Sequence, residues 1–300
     1  MAVIKVIRRE NYASWRLFGI ISLLSVRFGT IWRLFGFLPI RQDNWRSFRR
    51  MNKMFPRVMP YEEMLAALRG GASIARFGDG EFNLAMGKGI GFQSANPELS
   101  RRLREILAEN TDDNMLVGIS PIELDFSMYK PKSRRVWRNF WRANYNKIRP
   151  MLKRGLYANA MISRIDFFAW AAKSGGDGVA EIKKIWDGRN AVFVVPQNGR
   201  FFYDRRLFGN IKSKAEIFIP AADAFGEYER MLAECKRHKK DRLFIICAGP
   251  TATVLAYDLH RAGFQALDMG HLPNSLAEYL GEGPKPERLA ISTAVAAADS

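Results

Sequence analysis

The sequence of 300 residues contains only two cysteines and three histidines. Two cysteines, Cys235 and Cys247, cannot form the multi-bridge framework on which small secreted domains depend, and no secretory cleavage site is recognisable. Three histidines exclude a histidine-rich metal cage. These absences lead us to expect a protein of the reducing cytoplasm that is stabilised by a hydrophobic core.

Acidic residues are scarce in two segments of the chain. Residues 1–58 contain twelve Lys or Arg against two Asp or Glu, and residues 130–154 contain ten Lys or Arg and no acid. The formal net charge of +17 therefore comes entirely from these segments, and the remainder of the chain is net −3. A strongly basic protein suggests a nucleic-acid partner. We do not expect one here, because the body that would carry the binding surface is close to neutral.

The first basic segment is apolar, but it lacks an uncharged run long enough to span a bilayer. Its longest run, residues 17–26, has ten residues, whereas a spanning helix needs roughly 20. Single arginines separate the apolar runs: Arg16, Arg27, Arg33 and Arg41. This pattern predicts an amphipathic helical segment over residues 1–58 that lies on an anionic membrane surface. A helical hairpin packed on the following domain is the alternative.

The second basic segment has the periodicity of an amphipathic helix. Apolar residues recur at spacings of three and four: Trp137, Trp141, Tyr145, Ile148 and Leu152. The remaining surface carries the basic residues Arg134, Arg135, Arg138, Arg142, Lys147 and Arg149. Two interpretations are open: a core helix with a solvated basic face, or a basic face for phosphate groups of lipids or of a pyrophosphate-linked acceptor.

From Pro60 onward, predicted strands alternate with predicted helices. The strands are expected at 73–77, 115–119, 157–162, 191–195, 215–219, 242–247 and 264–269. This alternation predicts the α/β class, with a Rossmann-like, open and mostly parallel sheet that has helices on both faces. We expect one domain over residues 59–285 and a flexible tail over 286–300.

Two carboxylates follow the first of these strands. In extended chain, Asp79 and Glu81 face the same side, and Gly78 and Gly80 leave room for close approach of a ligand. Two hard oxygen ligands suit Mg²⁺ or Mn²⁺ together with phosphate oxygens and water. The alternative is a polar turn whose carboxylate caps a helix or pairs with Arg76.

A glycine turn follows the strand at 242–247. Gly249, Pro250, Thr251 and Thr253 surround the start of a predicted helix, where free N–H groups and hydroxyls would bind phosphate. The turn matches neither a Walker A loop nor a full dinucleotide fingerprint, and an ordinary capped turn is the alternative.

Two smaller signals lie at other strand ends. Arg164, after Ser163, would direct a guanidinium at phosphate, or would pair with Asp166. His271 would contact phosphate or act as an acid or base, unless its role is structural.

Taken together and in order, these motifs resemble the GT-D-type glycosyltransferases, a bacterial family first described as a domain of unknown function. The resemblance covers roughly residues 60–280 and rests on Arg76-Phe77-Gly78-Asp79-Gly80-Glu81, Gln93, Ser163-Arg164, Trp186-Asp187-Gly188, Pro220 to Phe225, Gly249 to Leu259 and Asp268-Met269-Gly270-His271. The chain differs from the family pattern at residues 196–200 and at Pro273-Asn274.

The resemblance implies a metal-dependent glycosyltransferase with a UDP-hexose or similar nucleotide-sugar donor and a glycan, glycoprotein or lipid-linked acceptor. Mn²⁺ or Mg²⁺ would bind at Asp79 and Glu81, which with His271 are the expected catalytic residues. The residues expected at the nucleotide are Arg76, Phe77, Gly78, Gln93, Ser163, Arg164, Gly249, Pro250, Thr251 and Thr253. With the basic segments, this predicts a cytoplasmic protein that is peripheral on the inner face of the cell membrane.

Two other classes compete with this interpretation. A dinucleotide-dependent oxidoreductase would need Asp268 as its acidic ribose-binding residue. A nucleic-acid-binding protein would need its basic residues on a groove-shaped or stacking surface within the domain.

Overall fold

The chain forms two compact units, residues 1–54 and 55–300. The structure is a computed structural model. It describes the backbone of residues 4–9, 12–17 and 21–27, and then residues 55–109, 111–112, 114–121, 129–168, 177–197, 199–285 and 288–289. Most of the predicted flexible tail, 286–300, lies outside the described residues, as do residues 28–54.

The described part of the first unit is a three-stranded antiparallel sheet. Its strands are β1 (Ile4–Arg9), β2 (Tyr12–Leu17) and β3 (Ile21–Arg27), in that spatial order. The predicted helical segment is therefore wrong for these residues. Each strand is rich in β-branched or aromatic residues, which favour extended backbone. The membrane-surface role of residues 1–58 stays a prediction.

The second unit is built on an eight-stranded sheet whose neighbouring strands are all parallel. The strands are β4 (Arg57–Val58), β5 (Ser73–Phe77), β6 (Met115–Ile119), β7 (Leu156–Asn159), β8 (Asn190–Pro196), β9 (Ser213–Ile219), β10 (Leu243–Ile246) and β11 (Gln265–Asp268). Their spatial order is β4-β7-β6-β5-β11-β10-β8-β9. This confirms the predicted α/β, Rossmann-like sheet.

The described helices connect these strands in chain order. They are α1 (Tyr61–Arg69), α2 (Asp79–Ala85), α3 (Pro97–Glu109), α4 (Pro131–Ile148), α5 (Asp177–Lys183), α6 (Arg205–Phe208), α7 (Tyr228–Lys236), α8 (Pro250–Arg261) and α9 (Leu272–Leu280). Every residue of β6, β10 and β11 is buried. Central strands of a parallel sheet are buried in this way because helices cover both faces.

Several local features differ from the sequence prediction, among them the end of β7 and the presence of α2 and α9. The strand expected over 157–162 ends at Asn159, whose side-chain oxygen accepts the Met161 N–H at 2.9 Å and starts a 3₁₀ turn over Ala160–Ser163. Helices α2 and α9 were not predicted. Both begin directly at the chemically distinctive turns, so their first residues carry glycine and polar signals that are also typical of loops.

The second basic segment forms α4, and its apolar stripe faces the core as predicted. Trp137, Trp141, Tyr145 and Ile148 are buried, while Leu152 lies beyond the helix and is half-buried. The indole N–H of Trp141 donates to the carbonyl of Ser120 at 3.0 Å, just beyond β6. The middle of α4 therefore lies at the end of that strand.

We expect Trp141→Ala to lower the free energy of unfolding by about 3–5 kcal/mol, because it leaves a large cavity and an unpaired carbonyl. Trp141 is fully buried and its ring packs edge-on against Phe55 and Phe82, with centroids 4.8 and 5.2 Å apart. Denaturant titration measures the change. Val136→Ala on the same helix is the control, since Val136 is 52% exposed. Equal loss in both variants would contradict the packing described.

Candidate functional site

The chain reverses its direction across the sheet at β5. Strands β6 and β7 extend the sheet on one side of β5, and β8 to β11 lie on the other, with β11 directly beside β5. Because all the strands are parallel, their carboxyl ends form one edge of the sheet, here called the carboxyl edge. Open α/β sheets bind ligands at such a reversal. The candidate site therefore lies at the carboxyl ends of β5, β10 and β11.

A buried ion pair joins β5 to β11 at this edge. The guanidinium Nη2 of Arg76 lies 2.7 Å from Oδ1 of Asp268, and Nε donates to the Asp268 carbonyl at 2.5 Å. The Arg76 backbone N–H donates to Oδ2 at 3.2 Å. Burial raises the pKa of Asp268, and the charge and hydrogen bonds of Arg76 offset part of that rise. The pair fixes the spacing of the two strand ends.

The same arginine reaches the turn after β7. Its Nη1 donates to the Ser163 hydroxyl at 2.6 Å and to the Ala160 carbonyl at 3.2 Å. The Thr253 hydroxyl of α8 donates to the Arg76 carbonyl at 2.9 Å. Arg76, Ser163 and Thr253, all expected at the nucleotide, are thus brought together, but they bind one another. Their hydrogen bonds hold β5, the turn after β7 and the start of α8 in place.

Glycine is required at the turn after β11. Gly270 has a φ of +45°, and a Cβ there would lie 2.3 Å from Nη2 of Arg76. Such a contact is far inside van der Waals distance, so any side chain at this position would displace the guanidinium.

The two predicted metal ligands lie in the first turn of α2, and not in extended chain. Residues two apart on a helix point about 200° away from each other, so the expectation that Asp79 and Glu81 converge through strand geometry is wrong. Asp79 is exposed, whereas Glu81 is half-buried and its Oε2 accepts the Gly78 N–H at 2.7 Å. Glu81 therefore caps its own helix, which is the alternative stated above. Phe77 is fully buried against Phe82 and does not reach the surface.

Glu81 has an unusual ionisation. Burial and then the nearby carboxylate of Asp268 raise its pKa to about 7, against the opposing effects of its backbone hydrogen bonds and of Arg76. A carboxylic acid with this pKa can take up or release a proton near neutral pH. Among the described residues, no group of three or more His, Cys, Asp or Glu side chains is arranged to bind a metal.

The glycine turn before α8 lies at the same edge. Gly249 has a φ of +54°, and a Cβ there would lie 2.6 Å from the Phe92 ring, so the position requires glycine. Pro250 starts the helix, and Thr251 is fully buried. The hydroxyl of Thr251 has no hydrogen-bond partner, and that of Thr253 is used within the protein. The backbone N–H groups of this turn are what remains to bind an anion.

A pocket opens beside this turn. It is lined by residues that follow β8, β9, β10 and β11, by the loop before α3, and by the start of α9: Pro196, Gly199, Arg200, Phe201, Ile219, Pro220, Ala221, Ala224, Cys247, Ala248, Gly249, Gly270, His271, Asn274, Phe92 and Gln93. Of the predicted residues, Gln93, Gly249 and His271 line it. The pocket is mostly apolar, with polar groups at its rim.

Gln93 is held in place on the pocket wall. Its side-chain N–H donates to Asp223 at 3.3 Å and its oxygen accepts the Phe225 N–H at 3.4 Å. The Asp223 N–H donates to the Phe92 carbonyl at 2.9 Å. These bonds join the loop of Phe92 and Gln93 to the turn after β9, so both pocket walls are fixed together.

The two remaining predicted residues have different surroundings. His271 immediately precedes α9, is half-buried and faces the pocket. Arg164 pairs with Asp166 through two contacts of 3.1 Å and lies 3.9 Å above the Phe167 ring. Burial is the largest influence and raises the pKa of Asp166, but the hydrogen bond and charge of Arg164, together with hydrogen bonds to Ser275 and Glu278, outweigh it, so the net pKa is lowered. The ion-pair alternative for Arg164 therefore describes this structure.

The sequence analysis assigned no role to several pocket residues. Phe92 faces Gly249, Arg200 lies over the Phe92 ring at 5.8 Å from its centre, and the Asn274 amide donates to the Arg200 carbonyl at 3.0 Å. Arg200 and Asn274 lie in the two places where the chain differs from the GT-D pattern. This departure from the family pattern is the sequence signal that could have identified both residues.

An eight-stranded parallel sheet with a pocket at its carboxyl edge is the arrangement in which open α/β proteins bind ligands. The chain belongs to the GT-D glycosyltransferase family, because the model for the family "Glycosyltransferase GT-D fold" matches residues 74–291. This confirms the resemblance stated from the motifs.

Curated relatives agree with this assignment. "Probable glycosyl transferase Gly" of Streptococcus gordonii is 31% identical over 206 residues, which cover 68% of this chain and 30% of that protein. "Glycosyltransferase GlyD" of Streptococcus pneumoniae is 29% identical over 217 residues, which cover 71% of this chain and 26% of that protein. The chain therefore spans about a quarter to a third of the length of these relatives.

Solved structures share the fold. A structure of the domain of unknown function 1792, described as having a distinct glycosyltransferase fold, has a TM-score of 0.73 and 27% identity, covering 81% of this chain and 87% of that one. A glycosyltransferase of the same domain type from Streptococcus sanguinis has a TM-score of 0.70 and 28% identity, covering 76% and 86%.

We expect Arg76→Ala to lower the free energy of unfolding by about 3–5 kcal/mol, because it leaves the buried Asp268 carboxylate unpaired. Denaturant titration at neutral pH measures this. Arg101→Ala is the matched control: Arg101 pairs with Glu98 and Glu105 on exposed helix surface, where loss of a pair costs about 1 kcal/mol or less. An Arg76 variant as stable as the control would contradict the structural role of the pair.

Glu81 makes stability depend on pH. Its folded pKa of about 7 lies above the ordinary value of 4.5, so protonation favours the folded state. This contribution is complete below pH 4.5 and is lost as the pH rises through 7. We expect the wild type to lose about 2–3 kcal/mol relative to Glu81→Gln between these limits. Denaturant titrations across pH test this, with Glu63→Gln, at an exposed position of α1, as the control. Parallel pH profiles of wild type and Glu81→Gln would refute it.

Proposed function

We propose that this chain transfers a sugar from a nucleotide diphosphate, with UDP-hexose as the donor, to a hydroxyl of a glycan, glycoprotein or lipid-linked acceptor. Family membership supports sugar transfer. The donor, the metal and the acceptor are inferences from the site.

The observation that carries the proposal is the pocket at the carboxyl edge. The Phe92 ring and apolar walls offer a surface on which a base stacks, and the amide of Gln93 and the side chain of Asn274 offer polar contacts. The turn at Gly249 brings backbone N–H groups and the positive end of α8 to the same place, where a diphosphate would bind. A nucleoside diphosphate has both of these parts.

The reaction breaks the bond between the anomeric carbon and the diphosphate oxygen and forms a bond from that carbon to the acceptor oxygen. The acceptor proton passes to a base, and the bonding electrons leave with the nucleoside diphosphate. Negative charge therefore develops on the diphosphate, and the N-terminus of α8 is placed to stabilise it.

A divalent cation would bind at α2 through Asp79, whose carboxylate is exposed at the carboxyl edge. Glu81 points to another side of the same helical turn and accepts the Gly78 N–H, so it would join the cation only after a change of side-chain conformation. Hard carboxylate oxygens completed by phosphate and water are the usual environment of Mg²⁺ or Mn²⁺. When bound, such an ion would neutralise charge on the leaving diphosphate.

Two groups have the chemistry of a base for the acceptor hydroxyl. His271 faces the pocket, and Glu81 has a pKa of about 7. The proposal keeps both as candidates, together with the predicted catalytic role of Asp79.

In the oxidoreductase alternative, the residue expected to bind the ribose is not accessible. Asp268 would have to bind a ribose, but it is 2% exposed and is fully engaged by Arg76. No observation favours that alternative.

We further propose that the protein is peripheral on the cytoplasmic face of the cell membrane and that it acts in polysaccharide biosynthesis. The basic segments support it through their attraction for anionic lipids. Among the described residues, no helix is both long and apolar enough to cross a membrane.

Calorimetric titration with UDP tests the donor and the metal together. We expect binding that strengthens when Mn²⁺ is present, and a loss of about tenfold or more in Asp79→Ala and in Glu81→Gln, because each removes a metal ligand. Glu63→Gln, on exposed α1, should bind UDP like the wild type. UDP binding that ignores Mn²⁺ and survives in both variants would contradict the metal site.

A hydrolysis screen across nucleotide sugars identifies the donor. Release of free sugar from one UDP-hexose above all other donors is the expected result. Binding of NAD without hydrolysis of any nucleotide sugar would overturn the proposal.

A further inference from the structure

The outward face of α4 carries a group of exposed cations. Lys132, Arg135, Arg142 and Lys147 are exposed, and none of them forms an ion pair with any residue that the structure describes. The exposed Arg101 and Arg230, on α3 and α7, each pair with nearby glutamates. Helix α4 contains no acidic residue that could pair with its cations in the same way.

This arrangement weakens the helix. Lys132 and Arg135 are three residues apart, and Arg142 follows Arg135 two helical turns later, so the three lie in a row on one side of α4. Like charges three or four residues apart destabilise a helix by about 0.2–0.5 kcal/mol per pair. A Glu or Asp at any neighbouring position would relieve the repulsion, yet residues 130–154 contain none. The row therefore suits an anionic partner outside the fold.

The same face also presents an apolar side chain. Val136 is 52% exposed and is adjacent in sequence to Arg135. The opposite face of the helix is anchored by Trp137, Trp141 and Tyr145, which are buried. Cations around an exposed apolar residue on a firmly held helix match the surface of a headgroup layer, where phosphates lie above the acyl boundary.

The position of α4 relates this face to the site. Phe82 of α2 packs on Trp141 with ring centres 5.2 Å apart, and Phe82 directly follows Glu81 in the chain. The Trp141 indole donates to the Ser120 carbonyl at the carboxyl end of β6. The buried face of α4 thus contacts the helix that carries Asp79 and Glu81, and its exposed face lies immediately outside the carboxyl edge.

We propose that the exposed face of α4 is the surface with which this protein docks on an anionic lipid bilayer. Lys132, Arg135, Arg142 and Lys147 contact headgroup phosphates, and Val136 enters the boundary of the acyl region. Docking in this way holds the carboxyl edge next to the membrane, where the hydroxyl of a lipid-linked acceptor is presented. The inference rests on the proposed membrane location, and it does not depend on which sugar is transferred.

Vesicle sedimentation with the full chain tests the surface. Vesicles of phosphatidylglycerol with phosphatidylcholine are compared with pure phosphatidylcholine at low ionic strength. The variant Lys132→Gln/Arg135→Gln/Arg142→Gln removes three cations from α4. Each cation near an anionic surface contributes about fivefold in binding, so we expect about 100-fold weaker partitioning onto the anionic vesicles.

Two further variants separate position from charge. Lys236→Gln/Arg237→Gln/Lys239→Gln removes three exposed cations at the end of α7, and it should bind vesicles almost as the wild type does. Arg135→Lys/Arg142→Lys keeps the charge and should retain binding. Residues 1–58 are present in every variant, so their contribution cancels. Thermal unfolding monitored by circular dichroism verifies that all variants fold.

Several results would overturn the inference. These are equal vesicle binding by the α4 variant and the wild type, an equal loss in the α7 variant, and displacement by inorganic pyrophosphate beyond the effect of matched ionic strength. Binding to duplex RNA but not to vesicles, with the same dependence on α4, would replace it with a nucleic-acid surface. UDP titration of the same variants separates the two proposals, because failure of UDP binding leaves the vesicle result intact.

Discussion

The ion pair between Arg76 and Asp268 holds the candidate site together. It joins β5 to β11 at the place where the chain reverses across the sheet, and the same guanidinium reaches the turn after β7. The Arg76 side chain thus joins three strand ends, and its backbone carbonyl accepts a hydrogen bond from Thr253 at the start of α8. Because the pair is almost fully buried, neither charge can be removed without leaving the other unpaired in a low-dielectric interior. This constraint accounts for Gly270, since any side chain there would displace the guanidinium.

The ion pair changes how the sequence motifs at the strand ends are understood. Arg76, Ser163 and Thr253 have the chemistry of phosphate binders, yet their polar atoms are satisfied within the protein. The groups left to contact a ligand at the carboxyl edge are therefore the backbone N–H groups of the turn from Gly249 into α8 and the side chains around Phe92 and Gln93. Fixed backbone donors need no rearrangement when charge develops on a leaving group, so a rigid frame beneath them serves the proposed chemistry.

The periodicity of the sequence was sufficient to predict the sheet and the buried stripe of α4, because alternating strands and helices bury apolar residues at regular spacings. It was not sufficient for α2. Gly78, Asp79 and Gly80 have low helix propensity, and the helix forms because Glu81 caps it and Phe82 packs in the core. The pocket residues Arg200 and Asn274 are brought together by a long-range hydrogen bond, which leaves no local pattern. For β1 to β3 the sequence analysis predicted a helical segment where the structure has strands. An amphipathic segment is compatible with the periodicity of a helix or with that of a strand.

The distribution of charge follows from the same physics. At the carboxyl edge, cations are paired with buried carboxylates, as in Arg76 with Asp268 and Arg164 with Asp166. A compensated pair produces little field beyond a few ångströms, so these residues cannot draw an anionic surface toward the protein. On α4, Lys132, Arg135, Arg142 and Lys147 form no ion pair with a described residue, and their field extends over about 8–10 Å at physiological ionic strength. The arginines that hold the candidate site are therefore different from the cations proposed to attract an anionic membrane. The contact between Phe82 and Trp141 keeps these two regions adjacent.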